Sequence, residues 1–156
     1  MIAPEDDVDR IMSVMERAFA PRYGEAWSRR QVGDALLVGI TRHGLIGADG
    51  SPCPGPGEDT AGFFLSRRIV DEEELLLFAI APEYRRRGLG DRLLSRFIDE
   101  AREQGAARIF LEMRAGNSAD FLYAKHGFQA VGLRPGYYRA SDGIRLDAIS
   151  QELKLG

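Results

Sequence analysis

Apolar residues first recur along the chain at helical spacing. Val8, Ile11, Met12, Met15 and Phe19 lie three and four apart, behind an acidic start of the kind a helix dipole favours. The spacing predicts an amphipathic helix over residues 5–19. After PRYGEA, Ser28 and Gln31 form a capping-box pattern that opens a second, shorter helix to about Leu37. The period then changes. TRHGLIG (41–47) and AGFFLSRRI (61–69) read as the two strands of a hairpin, joined by the Gly/Pro loop around 49–59. ELLLFAIA (74–81) is a short apolar run after an acidic turn, the pattern of a strand covered on both faces at the centre of a sheet.

From Leu89 the helical spacing returns. Leu89, Leu93, Leu94, Phe97, Ile98 and Ala101 lead to Gly105, which suits a left-handed helix cap. ARIFLEM (107–113) follows as a strand. A strand, a long helix and a strand in that order imply a right-handed crossover and a parallel strand pair, so the core is α/β. Asn117 is placed to cap a last helix, with Asp120 at its third position and Gly127 ending it. FQAVGL (128–133) and GIRLDAISQEL (143–153) then close the sheet around a Tyr-rich connection. No repeat or change of composition divides the chain, and 156 residues are an ordinary length for one domain, so 1–156 is read as a single unit.

Composition excludes several classes. A hydrophobic fraction of 44% and a charged fraction of 29% are those of a soluble globular protein. The net charge of −3, with both signs interspersed, provides no basic field for nucleic acid. No apolar run approaches the roughly 18 residues of a membrane span, and the start is acidic where a secretory signal is basic, so a cytoplasmic location without membrane contact is expected. The single cysteine, Cys53, rules out an internal disulfide and a thiolate cluster; its loop has no His or helix start to activate the thiol. His43 and His126 have no metal-ligand spacing, and no metal is expected.

The strongest chemical signal is ELLLFAIAPEYRRRGLGDRLL, in which a buried strand passes through Pro82 into a basic turn that opens the long helix. A helix start leaves N–H groups unpaired and carries partial positive charge, so it attracts phosphate oxygens. Gly88 and Gly90 have no side chain to obstruct that approach, and Arg85, Arg86 and Arg87 add forked donors. The third glycine of a dinucleotide fingerprint and the GK[ST] of a Walker loop are both missing.

RRRGLG fits the (Q/R)xxGx(G/A) pattern of GNAT acetyltransferases. FLEMRAGN (110–117), LYAKHGF (122–128), the tail GYYRASDGIRLDAI (136–149) and the early Trp27-Ser28 pair resemble the RimI-type ribosomal-protein alanine N-acetyltransferases. The resemblance covers most of the chain, most specifically from residue 74 onward. It implies a GNAT fold: a mixed, mostly antiparallel sheet of six to seven strands with a parallel central pair, flanked by about four helices.

The resemblance also assigns roles. Acetyl-coenzyme A would be the cosubstrate, its pyrophosphate held by Arg85, Arg86, Arg87, Gly88, Leu89, Gly90 and Asp91, with Asp91 contributing only its backbone. The backbone of Phe78, Ala79 and Ile80 would pair with the pantetheine arm and polarise the thioester carbonyl, an oxyanion-hole device. Asn117 would contact the cofactor. Glu112 would be the general base, and Tyr123 the general acid that protonates the departing thiolate. Tyr137 and Tyr138, with Asp142 and Asp147 nearby, would line the acceptor groove. Relatives place Asn and Tyr seven positions apart where this chain has six. A straight helix through both would rotate Tyr123 by about 100°, unless the loop after Asn117 absorbs the missing residue.

From the residues alone, strand alternation puts Glu112 on the face of Phe110, away from Leu111 and Met113, where it is equally a solvent-facing or Arg-paired carboxylate. Tyr123 is equally a half-buried aromatic. The resemblance implies transfer of acetyl to the N-terminal amine of a protein, the N-terminal alanine of the eighteenth small-subunit ribosomal protein. A GNAT acting on lysine or small amines is the competing enzyme. A silent acyl-coenzyme A binding module would keep RRRGLG without needing Glu112 or Tyr123.

Overall fold

The computed structural model describes residues 4–55 and 57–156; residues 1–3, and Pro56 within the 49–59 loop, lie outside them. In chain order the elements are α1 (Pro4–Ala18), α2 (Arg29–Leu36), β1 (Thr41–Gly47), β2 (Thr60–Ile69), β3 (Glu72–Ile80), α3 (Leu89–Glu103), β4 (Arg108–Arg114), α4 (Asp120–Lys125), β5 (Gln129–Arg139) and β6 (Arg145–Lys154). The strands form one sheet in the order β1-β2-β3-β4-β6-β5. The β3–β4 pair, flanking the α3 crossover, is parallel, and the other pairings are antiparallel. Among the described residues, six strands and four helices with one parallel central pair match the architecture that the resemblance implies.

Local chemistry sets the helix ends. Ser28 Oγ accepts from the Gln31 N–H at 3.2 Å and Gln31 Oε1 accepts from the Ser28 N–H at 2.8 Å, a complete capping box for α2. Gly105, with φ 83°, supplies the left-handed step after α3. The apolar stripe of α3 is buried as its spacing requires, and Phe64 meets Phe97 with ring centroids 4.9 Å apart.

Helices α3 and α4 cover one face of the sheet, packing Leu93, Leu94, Phe97 and Tyr123 with Phe64, Ile109, Leu111 and Met113. On the other face, α1 and α2 pack Ile11, Val14, Met15 and Val32 against Leu45, Phe63, Leu65 and Leu77. Under α3, the buried Glu73 accepts from Ser66 Oγ at 2.6 Å and pairs with Arg42 and Arg68, each at 3.4 Å, so its charge is compensated.

Three expectations change. Complete burial on both faces belongs to the first seven residues of β2; in β3 it alternates, since Leu76, Phe78 and Ile80 border an open cleft and are only partly covered. Asn117 does not cap α4: its Oδ1 accepts from the Ala119 N–H at 2.9 Å in a turn ahead of the helix, whose cap position is Ala119. The Tyr-rich stretch is no separate connection, because β5 runs through Tyr137 and Tyr138 to Arg139, pairing with β6 across a two-residue bulge between Arg134 and Tyr138.

Removing a fully buried ring leaves a cavity that tight packing cannot close. Phe97→Ala is expected to lower the unfolding free energy by about 3–5 kcal/mol, read as a fall in the urea midpoint at unchanged slope.

Candidate active site

The site begins where β3 and β4 part. Their ladder joins Glu72–Leu75 to Arg108–Leu111 and then stops, although β3 continues to Ile80 and β4 to Arg114. A bulge in β3 lies at the same level. Leu77 pairs with Leu65 and Leu75 with Ser66, so Leu76 is an extra residue. The insertion reverses side-chain alternation: Leu75 packs under α3, Leu77 and Ala79 pack against α1, and Phe78 and Ile80 turn back to the α3 side. The backbone of Phe78, Ala79 and Ile80 therefore borders a cleft on the side where β4 would have paired. An extended, amide-bearing ligand can take the place of the missing strand.

That cleft, of about 760 Å³, lies within the range of roughly 300–1,000 Å³ usual for small-molecule sites. Its outer end is the turn after β3. Pro82–Tyr84 forms one 3-10 turn, Arg85 is extended, Arg86 is left-handed at φ 64°, and Gly88 is left-handed at φ 78° as the N-cap of α3. Open space lies around Gly88, whereas a Cβ on Gly90 would stand 3.2 Å from Leu122 Cδ2. Gly88 thus meets a conformational demand and Gly90 a packing one.

Arg85, Arg86, Gly88, Gly90 and Asp91 line the cleft with Phe78, Ala79, Ile80 and Asn117. Leu89 instead buries its side chain in the core, so only its backbone can face the turn, and Arg87 lies over the Tyr84 ring at 5.5 Å. Asp91 is tied to α4 by Lys125 and His126, each at 3.0 Å, and the Lys125 hydrogen bond leads in holding its carboxyl below the usual range. Tyr84 Oη donates to Asp59 at 2.7 Å, and Arg17 bridges Asp59 and Glu83 at 3.2 Å each, anchoring the turn to α1 and the β1–β2 loop.

A second chamber of about 440 Å³ adjoins the cleft, sharing Phe19, Glu25, Phe78 and Asn117 with it. Glu112, Tyr123 and Tyr138 line this chamber. Glu112 stands on the Phe110 face of β4, as alternation predicts; its Oε2 lies 3.2 Å from Arg134 Nε and accepts from Ser150 Oγ at 3.4 Å. Tyr123 approaches from α4, on the opposite face, between Phe78 and Phe128. Burial, followed by the charge of Glu25, pushes its phenol well above the usual range, so it stays protonated at neutral pH. The turn at 117–119 takes up the short Asn117–Tyr123 interval, and both residues reach the chamber. Tyr137 is turned to solvent beneath Arg134 and lines neither cavity.

Spacing did not indicate the segment between α1 and α2. Residues 19–27 wrap over the parting strands, bringing Phe19, Glu25 and Trp27 to the chamber and Tyr23 to the cleft. Arg114 Nε lies 3.2 Å from Glu25 Oε1, and its guanidinium stacks 3.7 Å from the Tyr23 ring centroid. Arg22 pairs with Asp142 at 2.8 Å, and the Ser141 N–H donates to the Arg22 carbonyl at 2.8 Å, fastening the segment to the β5–β6 hairpin. The acidic and aromatic content of PRYGEAW was a signal, but only its folded position gives it meaning.

A sheet opened by two parting strands, with a glycine turn at the helix mouth, offers a place for a long ligand with an anionic end. Residues 15–128 match the model of the acetyltransferase (GNAT) family, and the chain belongs to that family. The [ribosomal protein bS18]-alanine N-acetyltransferase of Escherichia coli is 41% identical over 96 residues, 61% of this chain and 64% of that enzyme. Its Haemophilus influenzae counterpart is 40% identical over 88 residues, 56% and 60% of the two chains. The matched part is thus under two thirds of these relatives' length. The crystal structure of the Escherichia coli ribosomal-protein-S18-alanine N-acetyltransferase superimposes with a TM-score of 0.79 at 29% identity, over 100% of this chain and 91% of that one. Salmonella typhimurium yncA, solved with its cofactor acetyl-CoA, gives 0.56 at 27% identity over 63% and 60%.

Gly88→Val places a β-branched residue in left-handed backbone, at a cost of about 1–2 kcal/mol, and puts a side chain at the mouth of the turn. The variant is expected to melt lower than the parent and to gain less in Tm from saturating coenzyme A, both read by thermal unfolding.

Proposed function

We propose that this protein is an Nα-acetyltransferase that moves the acetyl group of acetyl-coenzyme A to the N-terminal amine of a protein, the alanine terminus of ribosomal protein bS18 being the first candidate. One observation carries the reading: a carboxylate and a protonated phenol enter the same chamber from opposite faces of the sheet, at the inner end of the cofactor cleft. A silent binding module has no need of that convergence. The relatives named for alanine N-acetylation support the choice of acceptor.

Bound acetyl-coenzyme A supplies an activated acyl carbon on a thiolate leaving group. The turn from Arg85 to Asp91 holds the diphosphate by backbone N–H groups and the Arg86 guanidinium, while the Arg85 guanidinium, which donates to the Ile80 carbonyl at 3.0 Å and the Ala18 carbonyl at 3.4 Å, ties the turn to β3 and α1. Asn117 adds a polar contact, and the backbone of Phe78, Ala79 and Ile80 orients the arm and the thioester carbonyl. Glu112 takes the proton from the attacking amine, directly or through water. An α-amine, with a pKa of about 8, yields it far more readily than lysine at about 10.4. Tyr123 Oη gives its proton to the departing sulfur, and Tyr138 borders the path of the acceptor.

Incubation with acetyl-coenzyme A and short peptides beginning with Ala, Ser or Met should give a single acetylation at the α-amine, read by mass. Modification only of a blocked peptide bearing an internal Lys would favour the lysine reading, and cofactor binding with no product from any acceptor would favour the silent module. Glu112→Gln is expected to lower kcat about 10²–10⁴-fold with little change in the KM for acetyl-coenzyme A; unchanged turnover would remove Glu112 from the mechanism. Tyr123→Phe should lower kcat in the same way.

A further inference from the structure

Among the described residues, Glu25 is the one carboxylate that lines both the cleft and the chamber, beside the cleft's own Asp91 and the chamber's Glu112. It is mostly covered, its side chain 16% exposed, and its partner Arg114 is 12% exposed. Arg114 approaches from the cleft side, engages Oε1 through Nε, donates to the Ala115 carbonyl at 3.2 Å and stacks on Tyr23. Each of these contacts immobilises Arg114 outside the chamber. Among the described residues no donor is hydrogen-bonded to Glu25 Oε2.

Resting on the acceptor reading above, we infer that Glu25 is a specificity-determining residue for that reaction: its carboxylate receives the positive charge of the incoming amine, while Arg114 fixes it in place. An α-amine arrives largely as an ammonium at neutral pH and loses hydration on entering a half-enclosed chamber. A carboxylate with an available oxygen, already desolvated and held, offsets that loss, whereas an uncharged end group gains nothing from it. Glu112 is then left to take the proton. The charge of Glu25 acts on the other groups of the chamber as this position requires. After burial it is the next cause holding Tyr123 protonated, and after burial and Glu112 it acts in the same direction on Tyr138. The clamp between Arg22, Ser141 and Asp142 keeps the segment bearing Glu25 over the parted strands.

The test uses the whole protein saturated with coenzyme A, which allows binding without turnover. The probes are a hexapeptide beginning with Ala and the same peptide with hydrogen in place of the α-amine. The parent should bind the amino peptide more tightly. Glu25→Gln should weaken the amino peptide about tenfold and leave the des-amino peptide unchanged, because a charge-assisted contact of this kind is worth about 1.5 kcal/mol or more. Glu25→Asp, which keeps the charge, should keep the preference. Equal weakening of both peptides would mark a structural role for Glu25, and no weakening of either would mark no role; both results overturn the inference. The α-amine reading fails separately, if the parent acetylates only an internal Lys. The same comparison, with that Lys set against norleucine, then decides whether Glu25 receives the amine.

Discussion

The ladder between β3 and β4 holds for four residue pairs and is then abandoned, and the rest of the site depends on that break. Parallel strands at the centre of a sheet normally satisfy each other's backbone groups over their full length. Here the extra residue at Leu76 turns β3 away, while β4 stays bonded to β6 as far as Arg114. A wedge opens inside the sheet, walled by main chain that no longer pairs across the gap, with the Ile80 carbonyl accepting from Arg85 Nε at 3.0 Å. Its shape suits a long, amide-bearing molecule, and the glycine turn at the start of α3 stands at its mouth.

The break also resolves a geometric difficulty. Groups on opposite faces of a continuous sheet cannot meet, because the backbone layer separates them. Glu112 projects from the face on which α1 and α2 pack, and Tyr123 belongs to α4 on the other side. They line one chamber because the layer between them is missing. Holding such an opening requires rigid walls. The α3 core and the α1–α2 core grip β2 and β3 from both faces, while the salt-bridged segment 19–27 spans the gap from above.

Charge is distributed to match. Each carboxylate of the chamber is paired with an arginine, Glu25 with Arg114 and Glu112 with Arg134, so neither is buried uncompensated. In both pairs the arginine stacks on a tyrosine, Tyr23 or Tyr137, which draws the guanidinium to the rim. Tyr137, expected to contact the acceptor, contributes in this indirect way, and Tyr138 is the neighbour that faces inward.

The sequence by itself determined most of the elements and the glycine turn at the start of α3, because those are written in local terms. Period 3.6 made α1 and α3, a Ser–Gln pair capped α2, a glycine bent the start of α3, and alternation gave the face of Glu112. Even the helix boundary at Asn117 was read only one short turn too early, since an Asn that closes a turn and an Asn that caps a helix use the same side-chain oxygen. Only the tertiary structure decided where strands part, which faces are joined through the gap, and where PRYGEA lies. Those outcomes depend on pairing between residues as distant as Leu75 and Leu111, or Glu25 and Arg114, and no local period records a partner 36 or 89 positions away.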